Sequence, residues 1–168
     1  MAVQSTTTIK ASVENVARAF ADENFARFAS DKIRVTLESF QVTGDPAGAY
    51  TATSVRSVPA DRIPDIAKKV PGVAGGITLN QVDQVSAPAA DGSRTITSEV
   101  SVKGIPVTGK AVQTLTAAGD TTEVKVDGEV KCSIPLIGKK IAAAAEPQIG
   151  RVFSALGAGA EEYIQNNY

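Results

Sequence analysis

Histidine and tryptophan are absent from this 168-residue chain, and cysteine and methionine occur once each. Without histidine, neither Ser-His-Asp nor Cys-His nucleophilic machinery can be assembled. Zinc sites of the Cys/His type are excluded for the same reason. The lone Cys132 cannot close an intrachain disulfide. No calcium-loop spacing of carboxylates and no glycine-lysine phosphate loop occurs, and Gly157-Ala158-Gly159 lacks the third glycine of a dinucleotide turn. Charge of one sign is also missing. The formal net charge is −1, so there is no broad basic field to hold nucleic acid. No apolar run approaches the roughly 20 residues of a membrane span. The opening MAVQSTTTIKAS has no charged segment followed by an apolar one, so no signal peptide is expected. These absences point to a cytoplasmic protein without metal, cofactor, nucleic-acid partner or integral membrane segment. They leave its oligomeric state open.

What is present is an ordinary globular composition, 43% hydrophobic and 21% charged. Aromatics make up only 5%, so Val, Ile, Leu and Ala must supply most of the core. The length suits one domain over residues 1–168 and needs no disulfide or metal to fold.

Along the chain, residues 2–10 are Thr-rich and weakly alternating, as in a strand. Ser12 offers a helix cap, and Val13, Val16, Ala17 and Phe20 then fall on one helical face. Asp22 caps a second short helix carrying Phe25 and Phe28. From Arg34 to Ile134 the period becomes that of strands. The runs are 34–43, 49–58, 76–87, 94–103, 107–117 and 121–134, parted by Gly- and Asp-containing turns. The last run is the clearest. Val124, Val126, Gly128, Val130, Cys132 and Ile134 share one face, and Glu123, Lys125, Asp127, Glu129 and Lys131 share the other. Such a sheet has one buried and one wet side. Residues 59–75 place Ile63, Ile66, Ala67 and Val70 between prolines, which reads as a short amphipathic helix. After Ile134 a helical stripe begins: Ile137, Ile141, Ala145, Ile149, Val152, Phe153, Leu156, Ala160, Tyr163 and Ile164. Pro147 should kink this long helix or split it. The fold class is therefore α+β, a seven-stranded curved antiparallel sheet around a long C-terminal helix, with two short helices after strand 1.

This order resembles the helix-grip fold of the START, polyketide-cyclase and plant-allergen (SRPBCC) superfamily. Three segments are similar to an actinobacterial domain of unknown function within it. They are the opening strand running into Ser12-Val13-Glu14-Asn15-Val16 and Ala19-Phe20-Ala21-Asp22-Glu23, the proline-flanked middle segment, and Ile134-Pro135-Leu136-Ile137-Gly138-Lys139-Lys140-Ile141. The resemblance implies a cavity between sheet and long helix, and it carries over no catalytic residue. It also implies a mouth beside residues 59–75, 103–107 and 134–139, with the 63–70 segment as a lid.

In phase with Tyr50, Ala52 and Ser54, Arg56 is the candidate to hold a ligand carboxylate or phosphate, provided that face is inward. Glu99 falls out of phase with Ile96, Ser98, Val100 and Val102 and should face solvent. Cys132 reads as a small inward hydrophobe. The expected ligand-binding set is Tyr50, Arg56, Ile66, Val70, Val100, Val126, Ile141, Ala145 and Ile149. Lys139 and Lys140 would form a rim, with Lys68, Lys69 and Lys103 nearby. Ala142, Ala144 and Ala145 opposite Gly128 either leave volume or permit close packing.

Three functions follow. The first is a binding module for a hydrophobic or amphipathic small molecule such as a lipid, isoprenoid or polyketide-like compound. The second is a cyclase- or dehydratase-like enzyme using Arg56 and Tyr50. The third is a non-catalytic interaction domain with a filled core, docking partners through residues 63–70. The residues lean away from an enzyme.

Overall fold

The period-2 and period-3.6 segments of the sequence become strands and helices in the expected order. The computed structural model describes residues 2–168; Met1, the first residue of the expected domain, lies outside them. β1 (Ala2–Ile9) leads into α1 (Val13–Phe20) and α2 (Glu23–Lys32). β2 (Thr36–Gly44), β3 (Tyr50–Val58), β4 (Ile77–Val85), β5 (Arg94–Val102), β6 (Val107–Ala118) and β7 (Thr121–Cys132) follow, and α3 (Gly138–Asn167) closes the chain. Both predicted caps are made. Ser12 Oγ accepts the Asn15 N–H at 3.2 Å, and Asp22 Oδ1 accepts the Asn24 N–H at 2.9 Å.

The sheet is antiparallel throughout, ordered β1-β7-β6-β5-β4-β3-β2. Because β1 and β2 lie at opposite edges, α1 and α2 carry the chain across the inner face. Strict alternation marks that face. In β7, Thr122, Val124 and Val126 are buried while Glu123, Lys125 and Asp127 are exposed. At the β2–β3 turn, Gly44 has φ +108°, and a Cβ there would lie 2.6 Å from the Ala49 carbonyl oxygen. Only glycine suits that position. The same turn is gripped by buried Arg94, whose Nη1 and Nη2 donate to the Gly48 and Ala47 carbonyls at 2.8 and 3.0 Å. Those bonds replace the water that the guanidinium has lost.

The proline-flanked segment departs from expectation. It is two separate 3₁₀ turns, Ala60–Arg62 and Ala67–Lys69, rather than an amphipathic α-helix. Pro64 pushes Ile63 into extended backbone (φ −97°, ψ 132°), which leaves too short a stretch to nucleate an α-helix. Pro147 neither splits α3 nor ends it, since the helix runs unbroken from Gly138 to Asn167. Proline removes one intrahelical bond, the one to residue Ala143. Both Pro147 and Ala143 are exposed, so water can satisfy the freed carbonyl. No helix among the described residues is long and apolar enough to cross a membrane.

The apolar interior is divided. One cluster holds Ile9, Val16, Tyr50, Ile96, Leu115 and Ile164 under α1, α2 and the C-terminal half of α3. The second lies at the opposite end, where Ile63, Ala67 and Val73 from the β3–β4 connection meet Ile141 at the start of α3. Ile105, Ile134 and Ile137 complete it. The three connections expected to share one end of the sheet therefore do so.

Candidate functional site

Between the two clusters neither surface is closed. Ala145, Ile149, Val152 and Leu156 of α3 lie on the helical line that joins buried Ile141 to buried Ala160 and Tyr163. From residue 144 to 157, about 20 Å of helix, no residue is fully buried. The inner face of the sheet behaves alike. On β5, Ile96 is 2% exposed and Ser98 is buried, but Val100 and Val102 remain half-buried. Gly109, Ala111, Gly128 and Val130 on β6 and β7 are also only half-buried. A Cβ added at Gly109 or Gly128 would meet only sheet atoms, the Val100 Cβ at 4.0 Å and the Ala111 Cβ at 3.1 Å being the side-chain contacts. No atom of α3 lies within 4 Å of a Cβ placed at Gly109, whereas one placed at Gly157 would meet Thr7 Cγ2 of β1 at 3.6 Å. α3 thus packs closely on β1, while the half-buried rows of β5 to β7 border space that water reaches.

A polar cluster floors this gap on β3, β4 and β5. The registers pair Ser54 with Gln81 and Ala52 with Asp83 across β3 and β4, and Gln81 with Val100 and Asp83 with Ser98 across β4 and β5. Arg56 is two residues beyond Ser54 on the same face. Arg56 Nε donates to Ser30 Oγ at 3.0 Å, and Nη1 donates to Ser54 Oγ at 2.9 Å and to Gln81 Oε1 at 3.3 Å. Gln81 Nε2 donates in turn to both Asp83 oxygens, at 3.0 and 2.9 Å. Ser98 Oγ donates to Asp83 Oδ1. Ser30 belongs to α2 and donates to the Ala26 carbonyl at 2.7 Å, so it ties the guanidinium to that helix. The Gln81 amide thus bridges a cation and an anion that form no direct ion pair. Burial raises the Asp83 carboxyl above its ordinary range; hydrogen bonds from Ser98 and Gln81 and the nearby Arg56 oppose that rise. Burial also lowers the Arg56 pKa, and Asp83 opposes it.

The expected site residues divide among three places. Arg56, Val100, Ala145 and Ile149 border the gap. Ile66, Val70 and Ile141 belong to the closed cluster at the connection end. Tyr50 and Val126 are 3% exposed inside the other cluster, and the Tyr50 hydroxyl donates to the Ala17 carbonyl at 2.6 Å. Both therefore lie within the first apolar cluster rather than along its open border. Ile63 and Ala67 point inward, and Ile66 and Val70 pack half-buried against the same cluster as Ile141. Lys139, Lys140 and Lys103 are exposed, and Lys68 pairs with Asp65 at 3.3 Å. Cys132 packs half-buried in the connection cluster, and Glu99 faces outward, 3.7 Å from Lys110.

Asp83, Gln81 and Ser30 were not anticipated from the sequence, and Ser98 was expected only to share the face of Ile96, Val100 and Val102. β4 is polar on both faces, which hides its alternation. A signal existed nonetheless: Ile77, Leu79 and Val85 are apolar at odd positions, and Asp83 shares their parity.

Residues 4–164 match the family described as Protein of unknown function (DUF2505), and the chain belongs to it. No curated protein matches the chain in sequence. Among solved structures, the fold is similar to a START superfamily protein from Mycobacterium smegmatis, with 13% identity, TM-score 0.58 and 99% of each chain covered. It is also similar to the Zhui aromatase/cyclase from a Streptomyces species, with 12% identity, TM-score 0.61, and 99% of this chain and 94% of that one covered. Norcoclaurine synthase from Thalictrum flavum aligns with 12% identity and TM-score 0.53 over 99% of this chain and 87% of its own. The fold is thus START-like, a helix-grip.

Proposed function

We propose that this protein binds a hydrophobic or amphipathic small molecule between the sheet and the middle of α3. The observation that carries the reading is the divided core. Both ends of α3 are buried, while its apolar middle and the facing sheet rows stay partly open to water. An apolar gap with a few converging polar groups suits ligand binding. Half-buried Val100, Val102, Ile149 and Val152 would gain roughly 25 cal/mol for each Å² that a ligand removes from water. The test is native mass spectrometry of gently purified protein, followed by denaturation and extraction. A reproducible extra mass released as a small organic molecule is the expected result. A clean apo mass together with exclusion of the neutral dye Nile red overturns the reading.

A second reading, a cyclase- or dehydratase-like enzyme, is favoured by one observation. A buried carboxyl with a raised pKa borders the gap, held by Ser98 and Gln81. A carboxyl whose proton is held more tightly than usual suits general acid–base proton transfer. Tyr50, whose hydroxyl is tied to Ala17, takes no part. The fold likeness to an aromatase/cyclase is consistent with this reading. Turnover of a polyketone mimic that is abolished in Asp83→Asn while binding persists would support it; unchanged turnover would remove it.

A further inference from the structure

We infer that Asp83 is a specificity-determining residue: it neutralises Arg56 through Gln81, so that the site accepts neutral oxygenated amphiphiles (long-chain alcohols or ketones) and disfavours carboxylates. The inference rests on the binding reading above and names the ligand class of that site.

The argument begins with charge. Arg56 alone would make an anion site, since a guanidinium offers paired donors to a carboxylate. The structure engages most of those donors internally. Nε and Nη1 serve Ser30, Ser54 and Gln81, and Nη2 has no partner in the cluster. It is not a buried unsatisfied atom either, so it is open to water. A ligand oxygen can take one or two hydrogen bonds there. One amide away sits Asp83, whose own oxygens are filled by Gln81 and Ser98. With both groups ionised, Arg56 and Asp83 together carry no net charge. The gap-facing residues of α3 add no cation. Between residues 144 and 157 it carries Glu146, half-buried, and Arg151, exposed. The lysines of the connection end are exposed and lie beyond the apolar cluster that closes it.

A carboxylate entering this gap loses its hydration and meets one cation already matched by one anion. Repulsion from Asp83 offsets the attraction of Arg56, and desolvation is left uncompensated. A hydroxyl or carbonyl oxygen sheds less hydration and still receives the Nη2 hydrogen bond. Discrimination here comes from the unfavourable partner built against the wrong ligand.

The test is displacement of Nile red from the whole protein by 1-decanol and by decanoate at mildly alkaline pH, in wild type, Asp83→Asn, Arg56→Gln and the double variant. Any apolar pocket prefers the alcohol to some degree, so the informative quantity is how the preference changes. Removing Asp83 should shift the ratio of affinities toward decanoate by about tenfold or more, the value of a charge-assisted hydrogen bond no longer opposed. Removing Arg56 should shift it the other way, and the double variant should return near wild type. If Asp83→Asn does not fold, as judged by circular dichroism, Arg56→Gln carries the opposite-signed prediction by itself. A ratio unchanged within about twofold in the foldable variants, or a wild type that prefers decanoate, overturns the inference. If Nile red never enters, the binding reading falls first and takes this one with it.

Discussion

Ile96 and Val100 lie on the same face of β5, four residues apart, and truncating each separates a gap from a filled core. Ile96 is 2% exposed and surrounded by the first apolar cluster. Ile96→Ala removes three carbons, worth about 0.8 kcal/mol each by transfer, and leaves an enclosed void that adds a further cost. The expected loss is about 3 to 4 kcal/mol. Val100→Ala removes two carbons that are already half-exposed, and the space they vacate joins one that water reaches. No cavity cost arises, and the expected loss is about 0.8 kcal/mol. The assay is urea unfolding of ligand-stripped protein followed by far-ultraviolet circular dichroism. An unchanged slope against urea would show that the denatured state is not what moved. A Val100→Ala cost above about 2 kcal/mol would mean that the side chain is enclosed. The divided core, and the binding function built on it, would then be wrong.

Two further outcomes follow from the geometry. Burial holds the Asp83 proton more tightly in the folded chain than in the unfolded one, whose ordinary value is 3.8. The folded state therefore takes up a proton just above that value, and the stability from Asp83 is fully present below it. That contribution is lost as pH rises through the folded-state pKa. Subtracting the unfolding free energy of Asp83→Asn from that of wild type across mildly acidic pH should give a difference that falls as pH rises, and a flat or rising difference contradicts the burial. At the C-terminus, Tyr163 and Tyr168 donate to Asp22 Oδ2 at 2.8 and 3.0 Å, and Arg18 lies 4.0 Å from the centre of the Tyr168 ring. Because Asp22 also caps α2, Asp22→Ala should cost about 2 kcal/mol and speed amide exchange in the last turns of α3; protection unchanged there would show that the tyrosines hold without it.

Several parts of the molecule were legible before any coordinates. Ser12 and Asp22 announce their helices because an N-cap is a local arrangement of one side chain and the next turn's N–H groups. β7 declares its two faces by strict alternation, and the α3 stripe declares a long helix needing a sheet to cover. Together they indicate an antiparallel sheet covered by a long helix, and the resemblance of three segments to a known superfamily implied the helix-grip class. Arg56 shares the phase of Tyr50, Ala52 and Ser54 in the sequence, but which way that face points is left open there. Tertiary structure decided the rest. Whether Ala145 and Gly128 touch or stand apart depends on how far α3 is held off the sheet, and both of its ends are fixed by clusters distant in sequence. The Tyr50 hydroxyl found its partner in the Ala17 carbonyl, 33 residues away. Asp83 gained its place beside Arg56 from the β3–β4 register, which a proline-broken connection sets and local patterning does not. Periodicity reports which way a side chain faces, and only the packing of distant segments decides what it meets there.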